Sequence, residues 1–143
     1  MTTDQRTEEQ VIEVVKAVLD AYSAMDLDGV LDRYLSDPGM VVVGARPGME
    51  FFGGEALREA LLSDFDNPHH AGLKASRFRV SVCTGVAYVF ARVNAFSGPD
   101  GMTISGGRLT AVLKKQQERW LIAQSHLSFP RHRKENGTEA NGF

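Results

Sequence analysis

Apolar residues recur at helical spacing in the first half of the chain and at every second position in the second half. Val11, Val14, Val15, Val18, Leu19 and Tyr22 form one stripe at steps of three and four, the signature of an amphipathic helix. Thr7-Glu8-Glu9-Gln10 ahead of it has the form of a capping box, with Thr7 as N-cap. Asp26 is placed to cap a second helix carrying Val30, Leu31, Tyr34 and Leu35, and Asp37-Pro38-Gly39 stops it. Met40 to Val43 reads as a short strand, and Arg46-Pro47-Gly48 turns the chain. Gly53-Gly54 opens a third helix with Leu57, Leu61, Leu62 and Phe65 on one face, and Asn67-Pro68 ends it.

From there the period becomes two. Four strands are predicted: Leu73–Cys83, Val86–Phe96, Met102–Lys115 and Arg119–Phe129. Thr84-Gly85, Ser97 to Gly101 and Gln116-Gln117-Glu118 turn between them. Helices followed by long antiparallel strands imply an α+β domain. Gly85, Gly98, Gly106 and Gly107 mark bends or bulges, and bent strands curl into a cone whose mouth three helices can cover, enclosing a pocket.

Neither face of the strands reads as solvated. Val86–Phe96 shows Tyr88, Phe90, Arg92 and Asn94 on one side and Ala87, Val89, Ala91, Val93 and Ala95 on the other. Helices can cover only one face, and an antiparallel sheet open to water should alternate apolar with polar. A second subunit over the small apolar face, hence a homodimer through the sheet, is the expectation.

Composition narrows the function classes. The chain has 143 residues, 43% hydrophobic and 24% charged, which fits one folded domain. Residues 1–130 are read as the domain and 131–143 as a polar flexible tail. A net charge of -2 implies no nucleic-acid partner, and the basic run Arg131, His132, Arg133, Lys134 is too short for a basic face. One cysteine, Cys83, excludes an intrachain disulfide and suits a reducing, cytoplasmic setting. It lies within a strand and has no adjacent base, so a buried, inert role is expected. The N-terminus lacks the apolar stretch of a signal peptide, and no run is long enough to span a bilayer, so no membrane partner is expected.

The face mixing aromatic and polar groups is the expected wall of a small-molecule site. It offers Tyr88, Phe90, Arg108, Thr110, Trp120, Gln124 and His126. A three-residue loop before Arg119 would set Arg108 opposite His126 and Thr110 opposite Gln124. A two-residue loop would turn one strand's set over. His126 can exchange a proton near neutrality, and Arg108 can hold an oxyanion. These two are the candidate catalytic pair, and a satisfied core histidine with a structural arginine is the other reading. Tyr22 and Glu50 are further candidates at the pocket and its rim. His69-His70 point apart in an extended loop, with no third ligand spaced to help, so neither a metal nor a cofactor is expected.

Gly107-Arg108-Leu109-Thr110-Ala111-Val112-Leu113 and Trp120 to Pro130 resemble the closing strands of SnoaL-like domains of the nuclear transport factor 2-like superfamily. Leu31-Asp32-Arg33-Tyr34-Leu35 and Phe52-Gly53-Gly54-Glu55-Ala56-Leu57 agree in order and spacing, so the resemblance covers roughly Glu8 to Pro130. It implies the nuclear transport factor 2-like, or cystatin-like, cone and a dimer. Relatives include polyketide cyclases, ketosteroid isomerase, dehydratases and the association domain of calcium/calmodulin-dependent kinase II, several of them in bacterial polyketide and enediyne antibiotic pathways. Trp120, His126 and Ser128 match the closing strand of that association domain. The cyclase's acidic residue and the isomerase's oxyanion pair find no placed counterpart in the four strands. The expected function is cofactor-free isomerisation, cyclisation or dehydration of an apolar ligand with a polar end. The alternative is a non-catalytic binder or a dimeric accessory protein.

Overall fold

A computed structural model describes residues 3–97, 101–130, 132–133 and 139–140. Helix α1 runs Thr3–Ser23 and α2 Leu27–Leu31. Strands β1 Val41–Val43 and β2 Glu50–Phe52 form a hairpin, and α3 follows at Gly54–Phe65. The long strands are β3 Ala71–Cys83, β4 Val86–Ser97, β5 Thr103–Gln116 and β6 Arg119–Ser128. They assemble with the hairpin into one six-stranded sheet in the order β2-β1-β6-β5-β4-β3. All neighbours are antiparallel except β1 with β6, which run parallel. Within the expected tail, β7 His132–Arg133 pairs with β8 Glu139–Ala140 as a separate two-stranded sheet. Arg131 and Lys134 of the basic run, and Gly98 of the predicted turn, lie outside the described residues.

Several boundaries differ from the pattern. Thr7 is not a cap: α1 already begins at Thr3, so the capping-box residues lie within the helix. Asp26 does cap α2, its carboxylate accepting from Gly29 N at 3.1 Å. The helix stops at Leu31, though, and Tyr34 instead bridges to Ile122 of β6. The β2 strand was not predicted, because Glu50-Phe51-Phe52 is too short to show a period. Ser23 ties α1 to the sheet: its hydroxyl accepts from Leu73 N at 2.9 Å and lies 2.8 Å from Leu19 O.

Bulges decide which side chains face the helices. A bulge between Ser76 and Arg79, with Arg77 at φ 54°, keeps both Ala75 and Val80 on the core side of β3. Gly106, at φ 86°, sits in the bulge that interrupts β4–β5 pairing between Val93 and Ala95. The β5–β6 loop is two residues long: Gln117 and Glu118 both have positive φ, the form of a tight hairpin turn. Leu113 then pairs with Ile122 but Val112 pairs with Gln124, leaving Ala123 as an extra residue in β6. Ile122 and Gln124 therefore point to opposite faces despite their even spacing.

The helices cover the face of small residues. Ala87, Val89, Ala91, Val93, Ala95, Leu109, Ala111 and Leu113 are all buried, most of them in one core with Val11, Val15, Val18 and Leu19 of α1. The expected second subunit on this face is corrected: the protein's own helices occupy it. Alanines at 87, 91, 95 and 111 leave room for helices to approach, which the larger residues of the other face would not. That other face is convex and open, with Tyr88 56% and Phe96 40% exposed. Cys83, expected to be buried, is exposed at the end of β3.

Candidate functional site

The face reversal moves most of the expected site residues out of the interior. His126 and Arg108 are exposed on the convex face, as are Thr110 and Gln124. His126 pairs with Thr110 rather than Arg108, which lies opposite Ser128. Tyr88, Phe90, Thr110 and Gln124 do come together, but in an open groove on that convex face. Trp120 goes the other way. The bulge at Ala123 turns it inward beneath α1, where it is 6% exposed and its indole Nε1 is buried with no hydrogen-bond partner among the described residues. Glu50 is exposed on β2, while its neighbours Met49 and Phe51 face the interior. Of the expected set, Tyr22 alone lines the cavity.

That cavity lies between the helices and the concave sheet and has a volume of about 160 Å³. An engineered apolar cavity of about this size, roughly 150 Å³, binds benzene. Its walls are Val18, Leu19 and Val30 of the first two helices, Leu57, Ala60 and Leu61 of α3, and Leu73, Leu109 and Leu127 of the sheet. Five polar side chains interrupt this lining: Tyr22, Tyr34, Arg46, Asp64 and Ser125.

Asp64 stands where the buried stripe of α3 continues. Leu57, Leu61 and Asp64 follow helical spacing, so the carboxylate takes a position that packing alone would give to an apolar residue. Tyr22 is placed likewise by the stripe of α1 and donates its hydroxyl hydrogen to Asp64 Oδ2. His70 enters from the turn that ends α3, where His69 N is held by Asn67 Oδ1 at 2.8 Å and His70 N by Asn67 O at 3.0 Å. Its ring packs against Tyr22 and Phe65, with centroids 4.8 and 5.4 Å away. His70 Nδ1 lies 3.2 Å from Asp64 Oδ2, and Nε2 lies 3.1 Å from the Tyr22 carbonyl oxygen. Asp64 and Tyr22 front the cavity, and His70 backs them. His70 was weighed only as a metal ligand, and Asp64 not at all. The polar break in the stripe of α3 was the available signal.

A carbonyl oxygen only accepts, so the contact of Nε2 with the Tyr22 carbonyl oxygen is a hydrogen bond in the tautomer with the ring hydrogen on Nε2, and the contact of Nδ1 with Asp64 is one in the tautomer with it on Nδ1.

Across the cavity the Tyr34 hydroxyl lies 3.0 Å from Ser125 Oγ. Burial pushes the Tyr34 phenol above its usual range, and the Ser125 hydrogen bond works the other way. The Tyr22 phenol is also raised, mainly by burial and then by its bond to Asp64, while the Arg46 guanidinium lowers it. Both are neutral hydroxyls over the physiological range. Unfolded tyrosine ionises at about 10, so above that pH the folded state holds more protons and stability falls as pH rises. In an alkaline titration read at 295 nm, the phenolate signal of Tyr22 and Tyr34 should appear only as the circular dichroism of the fold is lost. Ionisation of both in the folded protein near pH 10 would contradict this burial.

Comparison with known proteins places this geometry. Residues 11–132 match the model of the SnoaL-like domain. No functionally curated protein matches. Among solved structures, a nuclear transport factor 2-like protein of unknown function from Pseudomonas putida superposes with a TM-score of 0.76 at 16% identity, covering 98% of this chain and 96% of that one. A candidate dehydratase of the same family from Streptomyces avermitilis gives 0.74 at 22% identity, covering 90% and 99%. A candidate scytalone dehydratase from Novosphingobium aromaticivorans gives 0.74 at 13%, covering 87% and 85%.

Proposed function

Because the chain belongs to the SnoaL-like domain family, with a nuclear transport factor 2-like fold, we propose that it performs cofactor-free acid–base chemistry on a small, largely apolar molecule held in its cavity. The observation that supports this is the carboxylate of Asp64, set in an apolar wall with His70 Nδ1 3.2 Å behind it. Dehydration of a β-hydroxy carbonyl compound suits the group best. Two of the structural relatives are named for dehydration. Asp64 takes the proton from the carbon beside the carbonyl, and that electron pair forms the new carbon–carbon double bond. The carbon–oxygen bond breaks, and the hydroxyl leaves as water with the proton supplied by the Asp64–His70 pair. Of the bonded Tyr34 and Ser125 hydroxyls, one donates to the other and the remaining hydrogen is donated to the carbonyl oxygen as it gains charge. His126 and Arg108 face outward and have no part in this route. A place in polyketide-derived antibiotic metabolism, and in the cytoplasm, belongs to the same proposal. So does a homodimer, now through the convex face with exposed Tyr88 and Phe96 rather than through the small-residue face.

The test is a panel of single-ring β-hydroxy ketones, with and without a carboxylate, followed by enone absorbance. Turnover by the wild type, lowered about 10²–10⁴-fold in Asp64→Asn, is the expected result. Binding of the panel without turnover in the wild type would favour the non-catalytic ligand-binding reading.

A further inference from the structure

The Asp64 carboxylate is engaged by its own partners, the Tyr22 hydroxyl and His70 Nδ1. Tyr22 and Tyr34 are hydroxyls, kept so by burial. Arg46 is the one arginine or lysine among the described lining residues. Among the described residues no carboxylate lies within ion-pair distance of it. Glu50, the nearest acid in sequence, is exposed on β2 and takes no part in the lining.

Arg46 is also positioned rather than trailing. It sits in the turn that joins β1 to β2, closed by Gly44 N donating to Met49 O at 2.7 Å and Met49 N to Arg46 O at 3.2 Å. The side chains of Met49 and Phe51 continue the apolar wall beyond it. An exposed guanidinium beside an apolar cavity is a fork of donors with water on one side and hydrocarbon on the other.

We infer that the molecule bound in this cavity is a small apolar monoanion, a single-ring or short-chain carboxylate, whose hydrocarbon part fills the apolar wall and whose carboxylate is held by Arg46. A cation would meet the guanidinium, and a neutral ligand would leave it without an ion-pair partner. A planar carboxylate can take two parallel N–H···O bonds from it. The inference deepens the proposed function and rests on the cavity being the ligand site.

Three probes separate the two claims: toluene, phenylacetate and phenylacetamide, titrated at low salt into wild type, Arg46→Gln and Arg46→Lys, with cavity methyl NMR shifts as readout. Toluene should bind all three proteins alike. Phenylacetate should bind the wild type about tenfold tighter than phenylacetamide, about 1.4 kcal/mol. The preference should fall below about twofold in Arg46→Gln and return in part in Arg46→Lys. Equal affinity of acid and amide in the wild type, or an unchanged preference in Arg46→Gln, with toluene still bound, overturns the assignment to Arg46 and leaves the cavity reading standing. No methyl shift with any probe overturns both.

Discussion

Asp64→Ala should lower the unfolding free energy by about 3–5 kcal/mol, the loss expected when one partner of a largely buried pair is removed. The side chains of His70 and Asp64 are 8% and 19% exposed. Without the carboxylate, Tyr22 OH and His70 Nδ1 both lose their partner, and the aromatic packing around His70 leaves little room for water to replace it. Asp64→Asn should behave differently. Its amide can donate to Nδ1 of a neutral His70 or accept from Tyr22, so only one of the two contacts is lost. About 1–2 kcal/mol is the expected loss. Urea unfolding of both variants measures the difference. A loss in Asp64→Asn as large as in Asp64→Ala would show that the amide keeps neither of the two contacts. The same comparison makes Asp64→Asn the right probe of turnover, since it keeps the cavity folded while removing the base.

The elements were legible because each carried its own period. The stripe of α1, the Asp26 cap and the four long strands all follow from local spacing, and the structure places them within a few residues of expectation. What was not legible is which face of the sheet turns inward. Aromatic and polar residues such as Tyr88, Phe90 and Thr110 have the makeup of a binding wall, yet they stand on the convex side. Helices lie against the face of alanines and valines because only small side chains permit close approach across a curved sheet.

The misplacement of Trp120 has a separate cause. Strict alternation carries Trp120, Ile122, Gln124 and His126 on one face, but the unpaired Ala123 resets the phase halfway along β6. No glycine or proline announces that bulge. It is set by the match of Ile122 to the core and of Ser125 and Leu127 to the cavity, which are tertiary demands. Asp64 shows the converse. Its signal was local, a carboxylate in an apolar helical stripe, but a polar residue there is informative only once the third helix is known to face a cavity rather than water.

Leu113→Ala should lower stability by about 2–5 kcal/mol, the range for removing a large aliphatic side chain from a packed interior. Leu113 is 0% exposed and sits in central strand β5, opposite Ala87 on one side and Ile122 on the other. Both neighbours are fixed: Ala87 has no side chain to swing into the gap, and Ile122 is held on its far edge by Leu35 N donating to Ile122 O at 2.8 Å. The space left by Leu113 should therefore remain open, which puts the loss toward the upper part of the range, with a fall in Tm of about 10 °C for a chain of this size. Leu62, 48% exposed on α3, supplies the control, and Leu62→Ala should stay within about 0.5 kcal/mol. Leu113 does not line the ligand cavity, so toluene binding by folded Leu113→Ala should match the wild type. A loss below about 1 kcal/mol in urea unfolding would mean that strand pairing, not the packed small-residue face, holds the helices and sheet together, and the cavity they enclose would then lack the rigid wall that places Asp64.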